Sequence, residues 1–106
     1  MGSTGSVTRI LTASCYPDGQ RIDLYYWHSF KGLVITDLAL TTIWLLAHAV
    51  DPAREQAVRA ALRGQGVDRV RHDFQMLAES PDQVVELAAT MGAILESVLA
   101  QHFPQL

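Results

Sequence analysis

The sequence predicts an α+β fold in which an N-terminal β-hairpin packs on three to four helices. Two runs of strand-forming residues flank Tyr16-Pro17-Asp18-Gly19-Gln20, a long apolar run fills the middle of the chain, and a capped amphipathic segment ends it. These three features decide the class, because strands gathered at one end and helices at the other build α+β rather than α/β domains.

The hairpin takes residues 7–14 and 21–28. In its turn, Pro17 presets φ, the Asp18 carboxylate can bond nearby backbone, and Gly19 can take the left-handed position. The second strand, RIDLYYWH, is rich in strand formers. Alternation puts Ile22, Leu24 and Tyr26 on one face and Tyr25 and Trp27 on the other, so both faces are bulky. A lone hairpin is marginal, and something must cover it.

A central helix is predicted to start near Thr36 or Asp37 and to run to Val50, either polar residue serving as cap. At 100° per residue, Asp37, Thr41 and His48 form a narrow polar stripe with Trp44 at its margin. Leu38, Leu40, Ile43, Leu45, Leu46 and Val50 occupy most of the remaining circumference. A helix apolar nearly all round is buried nearly all round. It is not a membrane span: Lys31 and Asp37 interrupt the run, leaving thirteen residues before Asp51, against about 20 needed.

Asp51-Pro52 then starts a second helix, Asp as N-cap and Pro at the first helical position, with Gly64 as its C-cap. Residues 67–79 fit a helical or a strand period. Their Arg, Gln, Met, Leu, Ala and Glu content favours helix; the alternative is a third strand at 69–78, giving ββααβα. The last helix opens on Ser80-Pro81-Asp82-Gln83, a capping box. Val84, Leu87, Met91, Ile94, Leu95 and Val98 then recur at helical spacing, and Pro104 stops it.

At 106 residues, one domain over 7–106 is expected, after a disordered lead-in at 1–6 without the pattern of a signal peptide. A net charge of -3 argues against broad capture of nucleic acid or anionic lipid. The single Cys15 offers no intramolecular disulfide, and a cytoplasmic setting is the expectation.

No catalytic motif is present. His28, His48, His72 and His102 stand twenty or more positions apart, none with a metal-type ligand at motif spacing. Cys15 has no basic neighbour within three positions to lower its pKa. We therefore expect no enzyme, cofactor or metal. His48, on the polar stripe of an apolar helix, is expected to make a polar contact in the core or at an interface, with pH sensing as its alternative role.

Arg54, Arg59, Arg63, Arg69 and Arg71 lie close together, and two helices joined by Gly64-Gln65-Gly66 would outline a helix-turn-helix. Five acidic residues balance them across 51–79, which favours a solvated, salt-bridged face. Tyr25, Tyr26, Trp27 and Phe30 make a stronger case, because Tyr and Trp dominate interface hot spots. The preferred expectation is a non-enzymatic interaction regulator, itself a homodimer, that masks an apolar surface of a cytoplasmic partner. An antiactivator blocking dimerisation of a transcription factor is the specific form. Its partner-binding residues would be Tyr25, Trp27, Phe30, Leu38, Ile43, Trp44, Leu45 and His48. The alternatives are a DNA-binding regulator using Arg59, Arg63, Arg69 and Arg71, and a small enzyme built around His28, His48 or His72.

Overall fold

The computed structural model describes residues 7–30, 32–48 and 51–104; the lead-in expected at 1–6 and the end of the central run at 49–50 lie outside them. Strands β1 (Thr8–Cys15) and β2 (Arg21–Ser29) form the expected antiparallel hairpin. Its turn closes as its residues dictate. The Asp18 carboxylate accepts from Gln20 N at 3.1 Å, Gly19 N donates to Tyr16 O at 2.8 Å, and Gly19 sits at φ 94°.

The chain continues through β3 (Gly32–Thr36), α1 (Leu40–Ala47), α2 (Pro52–Gly64), β4 (Asp68–Val70) and β5 (Asp73–Ala78). A 3-10 turn, Pro81–Gln83, leads into α3 (Val84–His102). The fold is α+β: a five-stranded antiparallel sheet ordered β1-β2-β3-β5-β4, with helices. Two expectations are corrected. The central run is not one helix from Thr36 or Asp37, because Leu33–Thr36 pairs with β2 and β5 as the middle strand of the sheet. Residues 67–79 are not helical but form the β4–β5 hairpin, so pairing with β3 overrides the helix propensity of their side chains.

The capping box expected at Ser80–Gln83 is corrected: the Ser80 side chain makes no cap bond, Gln83 Oε1 accepts from Glu79 N at 3.0 Å, and Pro81–Gln83 is a 3-10 turn before α3. The cap of α2 forms as its sequence dictates. Asp51 accepts from Arg54 N at 2.9 Å, with Pro52 opening α2. The C-terminal glycine is Gly66, at φ 93°, rather than Gly64. Gly66 N donates to Arg63 O and Val67 N to Leu62 O, the pairing of a Schellman motif, with Val67 and Leu62 both buried beneath it.

Strand register separates two faces. Ile22, Leu24, Leu33, Ile35, Phe74 and Ala78 point to one side, where they meet Val84, Ala88, Met91, Leu95 and Leu99 of α3. Helix α2 adds Val58 and Leu62, and α1 adds Trp44 and Leu45. One side of the sheet thus carries the core. Pro81–His102 is, among the described residues, the one helix long and apolar enough to cross a membrane; here its apolar side is buried against the sheet. Gly92 sets the approach of α3 to β1: a Cβ there would lie 3.2 Å from Ser14 Oγ and 3.4 Å from Thr12 Cβ.

Candidate protein-interaction surfaces

The β3–α1 junction is held by one buried carboxylate. Asp37 Oδ1 accepts from Ala39 N and Phe74 N, both at 3.0 Å, and Oδ2 accepts from Thr41 N at 3.1 Å. Burial pushes the Asp37 carboxyl above the usual carboxylate range, against the opposing pull of these donors and the Thr41 hydroxyl. The bonds hold Leu38 and Ala39 in the left-handed region, at φ 51° and 66°. Each such residue costs roughly 1–2 kcal/mol when it carries a side chain, so the Asp37 bonds stabilise a shape the local chain resists.

Around this junction sits an aromatic knot. Tyr16 stacks on Trp44 at 5.6 Å, and Phe103 meets Trp44 edge-on at 5.0 Å. The Tyr16 hydroxyl and Thr41 Oγ1 are hydrogen-bonded at 3.0 Å, and burial pushes the Tyr16 phenol up to about 12. The His48 ring lies on Trp44 at 4.0 Å, with Nδ1 2.8 Å from Trp44 O. A carbonyl only accepts, so Nδ1 carries the proton. Nε2 then faces Asp18 Oδ2 at 3.8 Å. Trp44 Nε1–H is buried with no acceptor among the described residues, a cost that its ring contacts offset.

The knot seats α1 and turns one side of it outward. Thr41, Trp44 and Leu45 are buried, whereas Ile43 is 56% and Leu46 70% exposed, and Leu38 just before the helix is 42% exposed. Ile43 and Leu46, three positions apart, share a helix face. No charged residue occurs from 38 to 47.

The second apolar surface is the side of the sheet opposite the core. Trp27, Val34 and Leu77 form a cross-strand row on β2, β3 and β5. Beside it runs a row of Arg9, Tyr25, Thr36, Gln75 and Asp68 across all five strands. Val34 is buried although it lies outside the core cluster, between its cross-strand partners Trp27 and Leu77. Leu77 is 50% and Leu11 63% exposed.

The residues expected to bind a partner therefore separate. Tyr25 and Trp27 lie half-buried on the open sheet face, and Phe30 is 95% exposed at the β2–β3 turn. Leu38 and Ile43 are on the outer side of α1, His48 is half-buried in the knot, and Trp44 and Leu45 are in the core. Burial removes those last two from any docking surface. Sequence reasoning missed Leu77 and Val34, whose place depends on strand pairing, and Leu46, whose exposure depends on how α1 is seated.

The helix-turn-helix outline is corrected, since Arg69 is on β4 and Arg71 in the following turn. Arg69 pairs with Glu55 at 3.0 Å, while Arg59 and Arg63 lie exposed on α2. Among the described residues no three His, Cys, Asp or Glu side chains gather as a metal site. An open groove of about 350 Å³ between β5 and α3 is lined by Leu77, Glu79, Gln83, Glu86, Leu87 and Thr90, with no nucleophile–base pair in it. Comparison with protein-family models, curated proteins and solved structures finds no match.

Proposed function

We propose that this chain is a non-enzymatic regulator that covers an apolar surface of another cytoplasmic protein. The observation that supports it is the outer side of α1, with Leu38, Ile43 and Leu46 presented to solvent by a helix whose other side is fastened into the core. An amphipathic helix of this kind binds by laying its apolar side chains into a groove. Its seating through Asp37, Thr41 and Trp44 means that little order has to be created on binding, which lowers the entropic cost of association.

The absence of charge between 38 and 47 sets the chemistry of the partner: an uncharged apolar groove whose own occupant is another protein. Dimerisation surfaces of transcription factors have this character, and an antiactivator that occupies one is the form in which we put the reading. Against the helix-turn-helix alternative stands the β4–β5 hairpin where its second helix would be; the histidine-based enzyme is the alternative with no observation in its favour among the described residues.

The test compares tagged wild type with an Ile43→Asp/Leu46→Asp double variant in affinity purification from the native host. A transcription factor retained by wild type and lost with the variant, and converted from dimer to monomer by added wild type, is the expected result. Identical capture by both proteins would sink the proposal.

A further inference from the structure

We infer that the open face of the sheet binds the same face of a second copy of this chain, about a two-fold axis running parallel to the strands over β3. The inference is independent of the α1 reading, and a different surface carries it.

The cross-strand rows supply the argument. A dyad above the central strand exchanges the two halves of the sheet, so β2 of one copy lies over β5 of the other and β1 over β4. In the row Arg9–Tyr25–Thr36–Gln75–Asp68, this operation puts Arg9 over Asp68 of the second copy and Asp68 over its Arg9. Tyr25 falls on Gln75, and Thr36, buried within its own chain, lies on the axis beneath them without itself making a contact. In the adjacent row Trp27 falls on Leu77, and Val34, buried within its own chain, marks the axis without making a contact. Opposite charges are thus matched at both edges, and the aromatic ridge on β2 fits the lower side chains of β5. A dyad perpendicular to the strands in the same plane would set Trp27 and Tyr25 ridge on ridge. Self-complementarity about one axis is a property that a two-fold interface requires and a foreign partner does not.

The next row is less favourable. It brings Asp23 towards Asp73 of the other copy. Asp23 already holds Arg9 of its own chain at 2.7 Å, so part of its charge is balanced before the two copies meet.

The area is adequate. Five strands at about 4.8 Å spacing, by about 20 Å along them, with the relief of the side chains, give roughly 600 Å² per copy. That reaches the lower end of specific interfaces. Packing here would also cover Leu77, exposed at 50%, and the Trp27 and Tyr25 rings.

Sedimentation equilibrium of the full chain between roughly 1 and 100 μM, where interfaces of this size associate, should show twice the 11.7 kDa monomer mass. Leu77→Asp, at a half-exposed site, should give a monomer with unchanged circular dichroism. Arg9→Glu and Asp68→Lys should each weaken the homodimer at least about tenfold through like charges at both edges. Mixed together, the two variants should form a heterodimer near wild-type strength. In that pairing the carboxylate introduced on β1 of one copy faces the ammonium introduced on β4 of the other, and the native Asp68 and Arg9 meet at the opposite edge. Monomeric wild type, a dimer that survives Leu77→Asp, or a mixture without preference for the heterodimer would each overturn the inference. The Ile43→Asp/Leu46→Asp variant should remain dimeric, so failure here and failure of the α1 reading are told apart.

Discussion

Replacing Asp37 tests the account of the β3–α1 junction most directly. Its carboxylate is fully buried and accepts three backbone N–H bonds, from Ala39, Thr41 and Phe74. Asp37→Ala removes all three acceptors. A buried donor left unsatisfied costs about 1–3 kcal/mol; allowing for partial access of water, the sum is about 3–6 kcal/mol. Against a total stability of roughly 5–15 kcal/mol, this variant is at the edge of folding. In Asp37→Asn the amide oxygen replaces Oδ1 and serves Ala39 and Phe74, but its NH₂ faces Thr41 N–H. One bond is lost, a charge is no longer buried, and the expected cost is about 1–2 kcal/mol.

The same carboxyl makes a signed prediction for pH. Burial raises its pKa in the folded chain above the ordinary 3.8, so the native state holds the proton to higher pH than the unfolded state. Its contribution is fully present below the unfolded pKa and is lost as pH rises through the folded value. Asn does not titrate, and the other acidic groups are common to both proteins. The stability gap between wild type and Asp37→Asn should therefore be widest in acid and narrow as pH rises. Urea unfolding followed by tryptophan fluorescence from about pH 4 to about pH 8 measures both quantities. An Ala variant costing less than about 1 kcal/mol, or a gap that widens with pH, would refute the reasoning.

Two further positions test the packing and the turns. Gly92→Leu should destabilise by about 1–3 kcal/mol or more in the same assay, since even a Cβ stands 3.2 Å from Ser14 Oγ. Gly92→Ala should come out near neutral, because a helix-propensity gain of about 1 kcal/mol opposes that contact. Arg71→Gly should stabilise by about 0.5–1 kcal/mol, as Arg71 is exposed and sits at φ 59° between β4 and β5.

The features legible in the sequence are those whose cause is local. The Pro17-Asp18-Gly19 turn, the Asp51-Pro52 start of α2 and the start and stop of α3 each depend on a few consecutive residues. Strand β3 was not legible, because Leu33–Ile35 is only three apolar residues long and Thr36-Asp37 after it reads equally well as a helix cap. What divides strand from helix there is the Asp37 carboxylate bonded to Phe74 N, thirty-seven positions away. The β4–β5 hairpin was hidden for the same reason: helix-forming side chains adopt strand geometry only because β3 is there to pair with. Of the candidate docking residues, Ile43 and Leu38 could be placed outward from the structure alone, since an all-round apolar helix does not declare which side the core will take.

One anomaly visible in the sequence outlasts these corrections and gains meaning from them. Strand β2 is bulky on both faces. With α2 and α3 packed on the core side, Ile22, Leu24 and Tyr26 account for one face, and Tyr25 and Trp27 remain. Had β1 and β2 stood alone, two aromatic rings would be a minor excess. In a five-stranded sheet they belong to rows that continue through Val34, Thr36, Leu77 and Gln75. An antiparallel sheet can leave one face to water when that face is polar, and the Trp27–Val34–Leu77 row is not. The excess that a hairpin could only hint at thus becomes a continuous surface, with Trp27 and Leu77 on either side of the buried Val34 and edges of opposite charge at Arg9 and Asp68.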